Sequence, residues 1–308
     1  LTEIRLIPRP PFDFSKSASI FSTGDADIRI FLGGVFRQVL LTAGGPVQVE
    51  VRSRGTLEKP ELTLTLSSDP PVTVAISEEV RDRISMIFSI ADDLSPFYTA
   101  VAGDPIISDI THQLRGVKAP VTPTVFEALT DSIIEQQISL KAARSIENRL
   151  IRLTGKQIMC EGTTRYCYPE PSVLAEIPDS GYRSCGLTTR KGEYIRDISR
   201  QIVSGDLDVE AYRKFADTES IITEMVKIRG VGRWTAELTL LRGLHRMDAF
   251  PADDVAVRRF ISRFYLGGEK VSSADARHFA QRWGDYKGLA AYYLEVADHL
   301  GIQPRPSG

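Results

Sequence analysis

The feature that most constrains how this chain can fold is a change of hydrophobic period about a quarter of the way along it. Segments 27–32, 35–41, 47–54 and 61–66 alternate apolar with polar residues or are rich in Val, Ile and Thr, and Gly or Pro separates them. That is the pattern of half-buried strands. The pair Gly33-Gly34 suits a tight hairpin, and Gly44-Gly45-Pro46 a second turn. From Ser77 the spacing becomes helical, with Val80, Ile84, Ile87 and Phe88 on one face of 77–90. After Pro123 the chain reads as helices joined by short turns, over 123–153, 171–177, 189–204, 209–215, 219–228, 234–244, 254–265, 273–283 and 287–300. The fold class expected is an α+β N-terminal domain, a small antiparallel sheet with helices, over 1–118, followed by an all-helical domain over 119–308. The helix near 77–90 is placed to pack with either.

Composition narrows the functional classes. With 308 residues, 42% of them hydrophobic and 25% charged, the chain can bury a real core. No apolar run approaches the ~18 residues that a membrane helix needs, and residues 1–11 lack the apolar centre of a signal peptide. The expectation is an intracellular protein of the cytoplasm or nucleoid that makes no membrane contact. Cys160, Cys167 and Cys185 are too few and too irregular for a disulfide framework, and one short of a four-thiolate metal site. A formal net charge of -2 excludes coating nucleic acid by overall basicity, so any DNA contact has to be local. Residues 227–246 offer one candidate: Lys227, Arg229, Arg233, Arg242 and Arg246 against Glu237 alone.

Within that stretch lies Ile228-Arg229-Gly230-Val231-Gly232, between two helical segments. A short loop with Gly at both positions can adopt angles closed to other residues and let its N–H groups approach an anion. The helix that follows adds the field of its N-terminus. A Gly-x-Gly can equally be a plain helix stop and start. Here Val231 supplies an apolar anchor, Arg233 a charge at the helix start, and Thr235-Ala236 small residues for close packing.

The string Gly230-Val231-Gly232-Arg233-Trp234-Thr235-Ala236-Glu237, continued by Leu241-Arg242-Gly243-Leu244 and Phe250-Pro251-Ala252-Asp253-Asp254, resembles the signature of helix-hairpin-helix DNA glycosylases. Within that superfamily it looks most like the 3-methyladenine DNA glycosylase II (AlkA-type) branch. Upstream, Phe126-Glu127-Ala128-Leu129, Ile133-Ile134-Glu135-Gln136-Gln137-Ile138-Ser139 and Gly186-Leu187 with Arg190-Lys191-Gly192-Glu193-Tyr194-Ile195-Arg196 are similar to it as well. The likeness covers about 120–300; the N-terminal region matches only in containing a small sheet.

The resemblance implies a DNA glycosylase of base excision repair that flips a base out of damaged double-stranded DNA, works as a monomer and needs no cofactor. No metal is required, although carbonyls of the hairpin could hold a monovalent cation. It makes Arg229, Gly230, Val231, Gly232, Arg233 and Thr235 the DNA-binding hairpin and Asp254 the catalytic carboxylate. A fixed carboxylate beside C1′ stabilises the oxocarbenium-like transition state. Taken alone, Asp254 is a good helix cap ahead of Val255, Val257, Phe260 and Ile261. Relatives that also cut the backbone carry a lysine two residues past the second glycine; Trp234 stands there, which implies hydrolysis without lyase chemistry. Trp234, Leu238, Tyr292 and Glu295 map to the base pocket, and Gln137, beside Gln136, to the wedge that fills the vacated space. Leu238 and Glu295 depart from the aromatic residues of the branch, so Phe12, Phe14, Phe21 and Tyr293 are further candidates for a wall. The expected substrates are alkylated bases of the 3-methyladenine kind. The alternatives are a glycosylase for oxidised, deaminated or mismatched bases and a DNA-binding module without catalysis.

Overall fold

The computed structural model describes residues 2–69 and 71–305. The N-terminal strands are β1 (Thr2–Leu6), β2 (Arg29–Leu32), β3 (Val35–Thr42), β4 (Gly45–Ser53) and β5 (Leu62–Ser67). They form an antiparallel sheet in the order β1-β5-β4-β3-β2. The β2–β3 hairpin closes through Gly33 and Gly34 at φ 59 and 76, both left-handed, which is why two glycines occupy the turn. The sequence expectation lacked β1, which covers the β5 edge.

One face of the sheet packs on α1 (Phe14–Ala18) and α2 (Val74–Ile87). Val80, Ile84 and Ile87 point from α2 into this core, so the amphipathic helix belongs to the sheet. Phe12 and Phe14 are buried there, and the Phe21 ring meets Phe36 at 5.0 Å and Phe88 at 6.4 Å. These phenylalanines are core of the sheet and no part of a base-binding wall. Residues 94–119, with α3 (Ser95–Val101) and α4 (Pro105–Gln113), instead share a core with 250–297. The apolar sides of α3 and α4 face the C-terminal helices, so residues 94–119 pack with the last part of the chain. Tyr293 lies in that core too, its hydroxyl donating to the Val117 carbonyl at 2.6 Å.

The helix expected over 123–153 is two helices, α5 (Val125–Glu135) and α6 (Leu140–Thr154). The break has local causes. The Lys191 ammonium donates to the carbonyls of Ile134 and Gln136, Gln137 takes φ 59, and the Ser139 hydroxyl caps α6 by accepting from Ala142 N–H. Within the otherwise helical part, β6 (Gln157–Cys160) and β7 (Thr163–Tyr166) form a hairpin turned by Glu161 and Gly162. Ile158, Cys160 and Cys167 pack on Val39, so these thiols act as apolar filler on the second face of the sheet. There follow α7 (Pro171–Glu176), α8 (Asp179–Ser184), α9 (Thr189–Ser204), a 3₁₀ turn (Glu210–Lys214), α10 (Thr218–Met225), α11 (Arg233–Leu244), α12 (Val255–Tyr265), α13 (Ser273–Phe279), a second 3₁₀ stretch (Ala280–Tyr286) and α14 (Lys287–His299). No helix of the described residues is long and apolar enough to cross a membrane.

Lys118 joins the parts. Its side chain is fully buried, and the ammonium donates to the carbonyls of Arg9, Ile90 and Asp92, each at 2.9 Å. Burial pushes its pKa down to about 8. Lys118→Met would keep much of the apolar stem and orphan these acceptors. We expect a loss of roughly 3 kcal/mol, since each buried polar group left unpaired costs ~1–3 kcal/mol. Urea denaturation followed by circular dichroism measures it, and an unchanged midpoint would refute the account.

Candidate active site

The site is organised by α11 and the loop before it. Gly230 has φ 90, and a Cβ there would fall 2.3 Å from Tyr194 ring atoms, so both backbone and packing exclude other residues. Gly232 is different. Its φ is -94, in the extended region, and a Cβ would meet nothing within 4 Å. Neither its backbone angles nor its packing demands a glycine there, although glycine is among the favoured N-cap residues. Gly232 is the N-cap of α11 and supplies no side-chain cap, leaving the helix N-terminus open to an external acceptor. Val231 is buried in the core formed with α5 and α9, which anchors the loop from beneath.

The basic patch expected from 227–246 is largely neutralised by acids from other segments. Arg229 bonds Glu193 and Asp197, each at 2.8 Å, and lies over the Tyr194 ring. Arg233 pairs with Glu219 and with the buried Glu237, Lys227 with Glu224, and Arg242 with Glu135. The open feature of the hairpin is thus its backbone.

Asp254 is the N-cap of α12: its Oδ1 accepts from Ala256 N–H at 2.7 Å and from Val257 N–H at 3.3 Å. Its Oδ2 accepts from the Trp234 indole N–H at 3.0 Å. Thr235 and Leu238 are buried on α11, and Trp234 is half-buried. The segment leading to Asp254 is held by buried Phe250 and Ala252 and by the bond from Asp254 N–H to the Pro251 carbonyl. Glu237 reinforces it, for Arg277 donates to both its carboxylate and the Phe250 carbonyl. Burial raises the Glu237 pKa, against the pull of Arg277 and Arg233. Asp253 is exposed.

The two glutamines part company. Gln136 donates its amide to the Gly230 carbonyl at 2.9 Å and to the Thr235 hydroxyl at 3.0 Å, tying the α5–α6 loop to the hairpin. It is committed to this tie and does not project from the loop. Gln137 is exposed at φ 59, a left-handed conformation unusual for a side-chain-bearing residue, and projects from the loop.

Tyr292 and Glu295, one turn apart on α14, face the same region. Glu295 is exposed, yet enclosed by enough protein that burial raises its pKa, moderated by Arg242 and increased by Asp254 and Glu135. Sequence reasoning missed the acids beyond it, although Glu127, Asp131 and Glu135 recur at helical spacing on α5. Arg29 bonds Glu127 at 2.8 Å, the Tyr168 hydroxyl donates to Asp131 at 2.9 Å, and Arg242 bonds Glu135 at 2.7 Å. Burial, then Glu147 and Glu127, lifts Asp131 well above the ordinary range, and burial lifts Glu147 to about 7.

Comparisons with known proteins agree with this arrangement. Residues 130–285 match the HhH-GPD superfamily base excision DNA repair protein family. A DNA-3-methyladenine glycosylase of Bacillus subtilis is 30% identical over 231 residues, 74% of this chain and 75% of that protein. A probable N-glycosylase/DNA lyase of Methanothermobacter thermautotrophicus is 28% identical over 87% of this chain and 85% of its own. The solved structure of a 3-methyladenine DNA-glycosylase from Archaeoglobus fulgidus superposes with TM-score 0.83 at 25% identity, covering 97% of this chain and 99% of that one.

The contrast between the two glycines is testable. Gly232→Ala should fold with unaltered stability and bind duplex DNA at least several-fold more weakly, whether or not a lesion is present, since phosphate contacts carry no sequence information. Gly230→Ala should be strongly destabilised instead. Thermal melts with fluorescence anisotropy on plain and damaged duplexes separate the cases; unchanged affinity in Gly232→Ala would exclude the loop as a phosphate grip.

Proposed function

Because the chain belongs to the HhH-GPD superfamily of base excision DNA repair proteins and is a DNA glycosylase, we propose that it is a monofunctional one that removes alkylated, 3-methyladenine-like bases with Asp254 as the catalytic carboxylate. The observation that carries this reading is the bond from the Trp234 indole to Asp254, which fixes a carboxylate at a helix N-terminus directly beside the hairpin.

The hairpin backbone at Gly232 and the start of α11 holds a phosphate of the damaged strand. Gln137 enters the stack as the lesion is extruded, at a cost of a few kcal/mol in unpairing. The base enters between Trp234 and Leu238 on α11 and Tyr292 and Glu295 on α14. A cationic alkylpurine is attracted to an indole face by ~0.5–2 kcal/mol. As the N-glycosidic bond breaks, its electron pair leaves with the base and positive charge grows on the sugar, where the Asp254 carboxylate stabilises it. Water adds at C1′ and passes a proton to Asp254, which leaves an abasic site. The relative named as a DNA lyase makes backbone cleavage the competing reading. Trp234 disfavours it, because the position where the resemblance would put a Schiff-base lysine holds an indole bonded to the carboxylate.

Two measurements decide. Asp254→Asn should reduce base release from methylated duplex DNA at least ~100-fold, in keeping with the loss of a preorganised electrostatic group, while DNA binding persists. Normal release by that variant would remove Asp254 from the mechanism. Borohydride should trap no protein–DNA adduct with wild type; a covalent product would establish lyase chemistry.

A further inference from the structure

The loop that presents Gln137 is a tight turn over 135–138, closed by the Ile138 N–H on the Glu135 carbonyl at 3.4 Å. Gln136 has φ -51 and ψ 125, and Gln137 has φ 59. These are the angles of a type II turn, whose third position favours glycine or asparagine. A residue with a longer side chain is relaxed there in the type I form, with φ negative, and the two forms interconvert by rotation of the middle peptide. The oxygen of that peptide is the Gln136 carbonyl. Left to itself, the turn would therefore relax away from the conformation it shows, and such a state persists only where the surroundings over-determine it.

Lys191, in the first turn of α9, holds that oxygen. Its ammonium donates to the Gln136 carbonyl at 2.6 Å and to the Ile134 carbonyl, at the end of α5, at 2.7 Å. Among the described residues it makes no ion pair, and it is half-buried, so the cation is given wholly to these acceptors. The next turn of α9 fixes the hairpin. A Cβ at Gly230 would fall 2.3 Å from the Tyr194 ring, and Glu193 and Asp197 each bond Arg229 at 2.8 Å. One helix start thus carries both the hairpin and the peptide that decides the form of the turn.

We propose that Lys191 is a positioning residue for base extrusion, which holds the Gln136–Gln137 peptide in its type II orientation and so aims Gln137 into the stacked duplex. Without the ammonium the peptide rotates, Gln137 takes a negative φ, and its side chain leaves the direction in which it enters the stack. The bond-breaking step at Asp254 does not involve Lys191; the presentation of the base to it does. The inference rests on the reading of Gln137 as the wedge.

The test is a double-mutant cycle of Lys191→Met and Gln137→Ala in the full chain, read by single-turnover excision of 7-methylguanine from duplex DNA. Extrusion is followed separately by the fluorescence of 2-aminopurine at the target position, which brightens on unstacking. Lys191→Met should melt as wild type does and bind the duplex within a few-fold of wild type. Its excision rate should fall ~10-fold or more, as for a misplaced positioning group, and the fluorescence rise should fall with it. The double variant should be no slower than Gln137→Ala alone, since the lysine acts through that side chain. A wild-type rate in Lys191→Met, or a double variant slowed by the product of the two single effects, overturns the inference. So does a Lys191→Met protein without a cooperative melt, which would make the lysine a support of the whole fold. A wild-type rate in Gln137→Ala removes the wedge and the inference together while Asp254 keeps its role. A wild type that releases no 7-methylguanine overturns the alkylbase reading, and the inference with it.

Discussion

The geometry of the cleft depends on one hydrogen bond, from the indole of Trp234 to the carboxylate of Asp254. It joins two helix starts, the first turn of α11 and the cap of α12, which are separated in sequence by the rest of α11 and by a turn-rich segment, 245–253. A carboxylate on a mobile side chain would lose much of its effect on a growing positive charge, since the benefit comes from orientation fixed beforehand. Here both oxygens are constrained, one by backbone N–H groups and one by the indole N–H of a ring carried in the first turn of α11. The same helix carries the open N-terminus at Gly232, so on the proposed reading a single rigid element positions a bound phosphate and the carboxylate together.

What could be read in the sequence was what local chemistry dictates. The Gly33-Gly34 turn, the cap at Asp254 and the hairpin around Gly230 depend on residues close to one another, and each stands where the pattern put it. What escaped depends on partners from far along the chain. The basic appearance of 227–246 disappears once Glu193, Asp197 and Glu135 fold against it, and no periodicity announces that pairing. Gln136 and Gln137 look alike in sequence; a bond to Gly230 across almost a hundred residues makes one a brace and leaves the other exposed. The regrouping of 94–119 with the last helices is of the same kind, a matter of which apolar faces meet. The acids of α5 were legible, since Glu127, Asp131 and Glu135 repeat every fourth residue in a segment otherwise fit for a core.

Those acids have an energetic cost that the fold meets in different ways. Glu127 and Glu135 are answered by guanidinium groups from a strand and a helix distant in sequence, while Asp131 is answered by a phenol and has its pKa raised by burial and by neighbouring acids. A buried carboxyl is tolerated when it is paired with a cation or hydrogen-bonded to a neutral donor, and both arrangements occur within three turns of one helix.

The brace formed by Gln136 has a mechanical meaning. It locks the loop that presents Gln137 to the hairpin that opens at Gly232, through Gly230 and Thr235 at once. On the proposed reading, the point where the protein holds the DNA backbone and the point where it pries the stack apart are two marks on one ruler. Gripping the strand then sets how far along it the intrusion falls, and the nucleotide presented to Asp254 is chosen by length before any feature of the base is inspected.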